Sequence, residues 1–361
     1  MVFAKFWAFV SRTRGSGTGR RIGAADVVAY VYLLVGVAII LLPVSWTLVS
    51  SLKPREGIEG FDTRLLPYEQ VVREIAGVGP KRMYLHESAT SPRTEVFKAG
   101  PTRRLTEVAP ADAPEATFIV PRQELKKQER LRLASENYLD PVLQRAGQGQ
   151  FHFFTYLYNS IFVTLVATAI TLIINSMAAF ALSKYQFKGR LTLTILIITT
   201  LLIPPTIILV SLFFVVWSLG MFGSLWGVII PAAATPAGVF LLRQYMLTIP
   251  DELIEAARMD AASEWGIYWR IILPLSLPAL SVLAILSIIW RWNDFLWPLV
   301  VLISDPNKHT LQIGLTAFAG EFDTDLHYVL AMTVLSLIPV TLVFVFLQRY
   351  ITTGIATTGL K

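Results

Sequence analysis

The chain has 361 residues, of which 54% are hydrophobic and only 16% charged, with a mean hydropathy of +0.57. Soluble domains carry about 25% charge, so an ordinary globular protein is excluded and a polytopic membrane protein is implied. The chain has no cysteine, which excludes disulfides and thiolate metal sites, and its net charge of +6 is explained by topology signals beside the membrane rather than by nucleic acid.

Crossing the hydrocarbon takes about 20 apolar residues, and six stretches qualify: 27–49, 160–182, 191–210, 224–242, 275–297 and 326–347. A tail over 1–26 precedes the first. Its Gly15-Ser16-Gly17-Thr18-Gly19 run follows no strand and lacks the Lys-Ser/Thr pair of a phosphate loop. The first span, with its exit at 27–52, is too long and starts too late for a cleaved signal peptide, and no small-residue cleavage site follows. It is expected to remain as an anchor.

Residues 53–158 form a long polar segment. Within it, about 68–133, short β-like runs at 82–87, 94–98, 104–108 and 117–120 are separated by Pro and Gly clusters. Residues 123–134 are rich in helix formers and read as a charged helix with Pro121-Arg122 at its start. A small β-rich module with one helix is expected, with a core too small to stand alone.

The other five spans fill 159–350, and a tail follows over 351–361. Basic residues flank alternate ends: Lys5, Arg12, Arg14, Arg20 and Arg21; then Lys184, Lys188 and Arg190; then Arg243, Arg258 and Arg270; then Arg349 and Lys361. The opposite short connections contain only Lys308. Both termini and the 249–274 loop are therefore placed in the cytoplasm and the 53–158 segment outside it. Arg291, inside the fifth span, is expected to face protein or water. Pro204-Pro205 either shapes a cavity or kinks a packed helix. Asn175, within the second span, suits helix–helix hydrogen bonding or sugar contact. Trp292 and Trp297 sit where interfacial aromatics anchor helices.

The 249–274 loop is the most informative segment. Pro250 suits a first helical position, and Asp251 and Glu252 oppose the helix dipole. Leu253, Ala256, Ala257 and Asp260 recur at helical spacing, with small alanines that let another surface approach closely. Glu255 and Arg258 project from neighbouring faces as polar contacts, and Ser263 can cap a second short helix that Pro274 ends. An amphipathic connector lying on the bilayer is the simpler reading. A rigid handle held by a soluble partner is the functional one.

Glu255-Ala256-Ala257, Asp260, Ala262, Leu273-Pro274 and Pro278 resemble the EAA loop of the permease subunits of ATP-binding cassette (ABC) importers. Outside the loop, the chain resembles the carbohydrate, maltose-type branch. The matching segments are Pro43-Val44-Ser45-Trp46, Ser51-Leu52-Lys53-Pro54, Glu136-Asn137-Tyr138, Tyr158-Asn159-Ser160, Phe187-Lys188-Gly189-Arg190, Trp292-Asn293-Asp294-Phe295-Leu296-Trp297-Pro298 and Gln348-Arg349-Tyr350 with the tail to Lys361. The family has Gly where this chain has Ala261, so either a left-handed alanine costs about 1 kcal/mol or, the preferred expectation, the turn uses helical or bridging angles. The 68–133 insertion does not fit compact members. It is similar to the enlarged loop of some α-glucoside importers.

The resemblance implies an all-α polytopic membrane protein of six transmembrane helices, the type I importer permease fold, carrying a small β-rich extracytoplasmic insertion. It implies a bacterial or archaeal inner or plasma membrane location. It also implies a second homologous permease subunit, two ATPase subunits and an extracytoplasmic sugar-binding protein as partners, in the lipid bilayer and without nucleic acid. ATP and magnesium would be bound by the partner ATPase, leaving this chain with no cofactor, metal or catalytic residue. Glu255, Ala256, Ala257, Arg258, Asp260 and Ala261 would couple to the ATPase; Asn175, Asn293 and Asp294 are candidates for the substrate pathway. The function implied is ATP-driven sugar import, of a di- or oligosaccharide. Two other classes compete. An ion-gradient-driven secondary transporter would carry ionisable groups at mid-membrane, and spans one to four show none centrally. An intramembrane enzyme would need a nucleophile–base or metal constellation, yet His86, His152, His309 and His327 are isolated and Ser50-Ser51-Leu52-Lys53 lacks the accompanying hydrolase motifs.

Overall fold

The computed structural model describes residues 24–59, 64, 66–88, 91–100, 105–143, 151–319 and 324–358. The basic residues Lys5, Arg12, Arg14, Arg20 and Arg21, the glycine-rich run at 15–19 and Lys361 lie outside them. Two units are distinguished, residues 1–48 and 49–361. The described residues of the first belong to helix α1 (Ala24–Ser50), which is apolar along its length, has Pro43 inside and ends two residues into the second.

In the second unit, three features anchor the chain after α1: the short α2 (Arg55–Glu59), a strand module, and α3 (Glu136–Val142). Eight strands lie between Tyr68 and Leu131: β1 (Tyr68–Gln70), β2 (Val72–Ile75), β3 (Gly79–Ser88), β4 (Ser91–Lys98), β5 (Leu105–Pro110), β6 (Phe118–Pro121), β7 (Leu125–Lys127) and β8 (Glu129–Leu131). All pairings are antiparallel. The main sheet runs β2-β3-β4-β5-β6, and β7 adds to β3; β1 and β8 form a separate pair. Alternation along the strands fills both faces. Ile75, Met83, Phe97 and Ala109 pack on one side, and Val96, Val108 and Val120 on the other.

The helix expected over 123–134 does not form. Residues 79–82 of β3 pair with β2, which leaves the stretch at 84–86 with a free edge, and Leu125, Lys126 and Lys127 fill it. Leu125 then packs on the Val96–Val108–Val120 cluster. Ladder hydrogen bonds and apolar burial outweigh the intrinsic helix preference of Glu, Lys and Gln, which amounts to tenths of a kcal/mol per residue.

The remaining chain is helical: α4 (Phe153–Lys184), α5 (Arg190–Thr200), α6 (Pro205–Ser218), α7 (Leu225–Ile229), α8 (Pro236–Met246), α9 (Glu252–Met259), α10 (Glu264–Ile267), α11 (Leu273–Leu275), α12 (Leu277–Trp292), α13 (Leu296–Leu302), α14 (Leu311–Gly314) and α15 (Leu326–Thr358). Among the described residues, α1, α4 and α15 are long and apolar enough to cross a membrane singly. Two bent pairs qualify together. One is α5 with α6, at 104° across the break ahead of Pro205, and the other is the 264–275 segment with α12, at 75°.

The fourth expected span is corrected by this arrangement. Residues 224–242 are not one helix: α7 stops at Ile229 and α8 starts at Pro236. Pro231 and Pro236 supply no N–H to the helical ladder there. The sixth expected span also extends further, because α15 continues to Thr358 through what reads as a tail.

Met83 is fully buried in the strand module. Met83→Ala should cost about 2–5 kcal/mol and open the module to limited proteolysis between residues 68 and 131, while the helical core keeps its protease resistance.

Candidate functional site: a bracketed loop and a broken span

The loop after α8 is built from two opposed demands. Ile254 and Ala257 face inward, onto a cluster with Leu242, Met246, Ile249, Ile267, Tyr268 and Ile272. The other face is open: Leu253 is 44% and Met259 87% exposed, and Glu255, Ala256 and Asp260 are exposed with them. The expected stripe of Leu253, Ala256, Ala257 and Asp260 is thus shifted by one position. Only Ala257 of that set packs inward, because Ile254 is the large apolar residue that the core accepts.

The turn out of α9 corrects the expectation for Ala261. Its φ is +56°, the one positive value at a non-glycine among the described residues. Ala261 N–H donates to Arg258 O at 3.0 Å and Ala262 N–H to Ala257 O at 2.9 Å. These two bonds are the Schellman pattern, which places its first residue beyond the cap in the left-handed region. Two satisfied carbonyls hold the alanine in a conformation that costs it about 1–2 kcal/mol. Ser263 then caps α10, accepting from Gly266 N–H at 3.1 Å. A π-helical stretch over Tyr268–Ile272 and the short α11 carry the chain to Ser276, where it bends into α12.

Side chains bolt this loop to the end of α4. Lys184, nearly buried, donates to Asp251 Oδ1 at 2.6 Å and to Ile249 O at 2.5 Å. Pro250 lies just before the helix, and Asp251 is its cap residue. Arg243 Nε donates to Leu182 O at 3.2 Å. Glu264 accepts from Arg258 at 2.9 and 3.3 Å through both carboxylate oxygens, and also from the Tyr185 hydroxyl. Arg258's hydrogen bond, then Tyr185's, hold the Glu264 carboxyl below its usual range. Burial first, then the Glu264 contact, push the Tyr185 phenol up to about 12. Glu264 therefore stays ionised and Tyr185 protonated at neutral pH. Arg258, also exposed, is paired with Glu264 within the loop, whereas Glu255 and Ala256 stand on its free face. Glu264 and Tyr185 were not singled out from sequence; a basic residue six positions before an acid across a helix end was the available signal.

The three pathway candidates are not brought together. Asn175 is fully buried; its Nδ2 donates to Thr235 Oγ1 at 2.7 Å and its Oδ1 accepts from Thr235 N–H at 3.1 Å. These bonds join α4 to the residue that caps α8. Asn293 is exposed and donates to Ile289 O at 2.8 Å. Asp294 Oδ1 accepts from Trp297 N–H at 3.4 Å at the start of α13, and lines a small cavity with Arg291 and Thr310. Trp292 is no interfacial anchor: it is 5% exposed and donates its indole N–H to Ser336 O at 3.0 Å. Trp297 is half-buried, against the cluster around Val301 and Ile313.

Arg291 is buried in protein. Its Nε donates to Ser287 Oγ at 3.1 Å, and its Nη2 to Thr171 Oγ1 and to Ala232 O, each at 2.6 Å. With Thr168 and Ser287 in contact at 3.0 Å, α4 presents a polar stripe of Thr164, Thr168, Thr171 and Asn175 that meets α12 and the 230–235 break. The sequence carried this stripe at helical spacing.

These features define a polytopic helical membrane protein with a broken-helix core and a short helical loop presented on one side. The sequence signature described as the binding-protein-dependent transport system inner membrane component matches residues 173–357. The arabinooligosaccharides transport system permease protein AraQ of Halalkalibacterium halodurans is 38% identical over 209 residues, covering 58% of this chain and 75% of that protein. The sn-glycerol-3-phosphate transport system permease protein UgpE of Brucella abortus is 35% identical over 204 residues, covering 56% of this chain and 72% of that protein. A chain of a bacterial ABC transporter involved in the import of the acidic polysaccharide alginate superposes with a TM-score of 0.62 at 22% identity, covering 93% of this chain and 99% of that one; this likeness concerns the fold. The chain belongs to the binding-protein-dependent transport system inner membrane component family, and is a permease subunit rather than a catalytic one. Nothing in that membership supports the ion-gradient alternative.

Ala261→Gly removes the left-handed penalty and returns part of it as unfolded-chain entropy, for a net gain of about 0.5–1 kcal/mol. The check is slower proteolytic nicking at 259–263 in Ala261→Gly, with faster nicking in Ala261→Val.

Proposed function

We propose that this chain forms half of the translocation pathway of an ATP-driven sugar importer and takes its motion from a separate ATPase through the α9–α10 loop. One observation carries the reading. The loop is rigid inside, through its Schellman turn, Ser263 cap and Arg258–Glu264–Tyr185 cluster, yet it leaves Leu253, Glu255, Ala256 and Met259 on a free face. It is also joined through the π-helical stretch and a 75° bend at Ser276 to α12. A surface gripped there moves a span.

Six crossings follow if α7 and α8 together count as one broken span beside the three long helices and two bent pairs. The basic flanks put both termini and the loop in the cytoplasm, and the strand module on the other side. Alternating access needs two related halves, so a second permease, two ATPase subunits holding ATP and magnesium, and a sugar-binding protein complete the assembly. Relatives named for arabinooligosaccharides and for sn-glycerol-3-phosphate favour a small hydroxyl-rich substrate. A di- or oligosaccharide fits this, with α-glucosides as one class in a screening panel. The Asn293–Asp294 pair remains the candidate for contact along the pathway; Asn175 acts through Thr235.

Reconstituted with its partners in proteoliposomes, the complex should take up sugar only with ATP and the added ATPase. Uptake driven by a proton or sodium gradient alone would refute this. Glu255→Lys, on the free face, should lower sugar-stimulated ATP hydrolysis and uptake by about tenfold or more without loss of the assembled membrane subunits. Undiminished uptake would remove Glu255 from the contact.

We also propose that the strand module meets the binding protein or the partner permease. Replacing 68–133 by a short polar linker should weaken capture of the binding protein or of the partner; full uptake and full complex yield in that variant would contradict it.

A further inference from the structure

The most unusual group in the helical core is Arg291, a guanidinium 7% exposed within an apolar helix. Among the described residues no carboxylate forms an ion pair with it. A charge inside a membrane bundle is costly, and its usual meaning is functional. Its partners say what it does. In a continuing helix Ala232 O would accept from the N–H of residue 236. Residue 236 is proline and has none. Arg291 Nη2 takes that carbonyl at 2.6 Å and, from the same nitrogen, Thr171 Oγ1 on α4. One side chain on α12 thereby ties the α7–α8 break to α4. On the far side of the break Asn175 ties Thr235 to α4 as well.

The space beside the latch is small, with polar groups set among apolar walls. A cavity of about 10 Å³, room for a single water, is lined by Ser160, Thr164, Arg291, Asp294 and Thr310 among others. Thr310 is 5% exposed, and its hydroxyl has no hydrogen-bond partner among the described residues. The guanidinium therefore shares its pocket with a second set of polar groups, including the Asp294 carboxylate.

We propose that Arg291 is a positioning residue that latches the 230–235 break of the fourth crossing to α4, and that the transport cycle releases this latch. When Nη2 leaves Ala232 O, the break can hinge and α8 can part from α4. The lost contacts are replaced by the Asp294–Thr310 side of the cavity. This rests on the transport reading above, because a latch needs a moving part.

The test uses the complete reconstituted complex. Arg291→Met is expected to lower sugar uptake per assembled complex by about tenfold while raising sugar-independent ATP hydrolysis, and Arg291→Lys, which keeps a donor for Ala232 O, is expected to recover most of the coupling. A purely structural arginine would change the yield of complex and leave sugar moved per ATP as in the wild type; that result overturns the latch. Where Arg291→Met fails to assemble, a second measurement decides. The chain has no cysteine of its own, so Thr171→Cys with Ala232→Cys can be joined by a short bis-thiol reagent. Joined complexes should be inactive and recover when a reducible linker is cleaved. Transport at the unjoined rate would show that the break does not move. Wild-type complex that fails to use ATP at all would instead refute the transport reading, which separates the two failures.

Discussion

Inside a bilayer no water is available to a stranded backbone group, so every carbonyl and amide must find a partner within the protein. That demand shapes the helical core of this permease. The chain breaks its helix between Ile229 and Pro236, and each side of the break must be repaired by a side chain from elsewhere. Asn175 supplies both a donor and an acceptor to Thr235, and Arg291 supplies a donor to Ala232 O. Gly238 belongs to the same repair. A Cβ there would fall inside contact distance of Asn175 Nδ2, so the staple and the glycine require each other. The polar face of α4, which looks misplaced in a membrane helix, exists to receive these groups.

The loop between α8 and α12 meets a similar demand by different means, because its outer face is wet. Its carbonyls are closed by the Schellman turn and its second helix by Ser263. Its inner face is fixed by Ile254 and Ala257 in the core beneath. Rigidity is what a handle needs, since a soft loop would absorb displacement instead of passing it on. The left-handed Ala261 is the strained element in this arrangement. Strain of that kind persists only where the surroundings over-determine it. Here two backbone hydrogen bonds, the Arg258–Glu264 pair and the Tyr185 hydroxyl do so.

How much of this could be read beforehand follows from which forces were local. The long apolar runs of α1, α4 and α15 announce themselves by length and hydropathy. The loop announces itself by polar residues between apolar ones, and its motifs carried the family. The errors lie where a distant partner decided. Residues 123–134 favour helix by themselves, yet 125–127 become strand on the free edge of β3 and 129–131 on β1. Ala261 is a poor left-handed residue taken there by the carbonyls of Arg258 and Ala257. Residues 224–242 are apolar enough to span, and two prolines interrupt them only because Asn175 and Arg291 make the interruption bearable. Trp292, apolar and near a span end, looks interfacial until Ser336 O on α15 takes its N–H. In the candidate site, the loop residues were legible and the polar repairs were legible only as isolated oddities, Asn175 and Arg291, without their partners.

The strand module, large as it is, joins the rest of the chain through a narrow base. Its two ends return to one place. Strands β1 and β8 pair in register from Tyr68↔Leu131 to Gln70↔Glu129, closing the insertion at its neck. Just beyond, Ala134 N–H donates to Leu52 O at 2.9 Å, and Asn137 Nδ2 donates to both Ser51 O and Lys53 O at 2.9 Å. Ser51 Oγ meets Tyr138 Oη at 2.5 Å. The segment leaving residue 53 and the segment arriving at 134 are thus held as neighbours whatever lies between them. The entropic cost of a longer connection grows only slowly with its length, and a paired neck removes most of that dependence. The Ser51-Leu52-Lys53 and Glu136-Asn137-Tyr138 segments, two of those that resemble the carbohydrate branch, are the two halves of this neck. The hydrogen bonds between these two segments do the joining, below the strands.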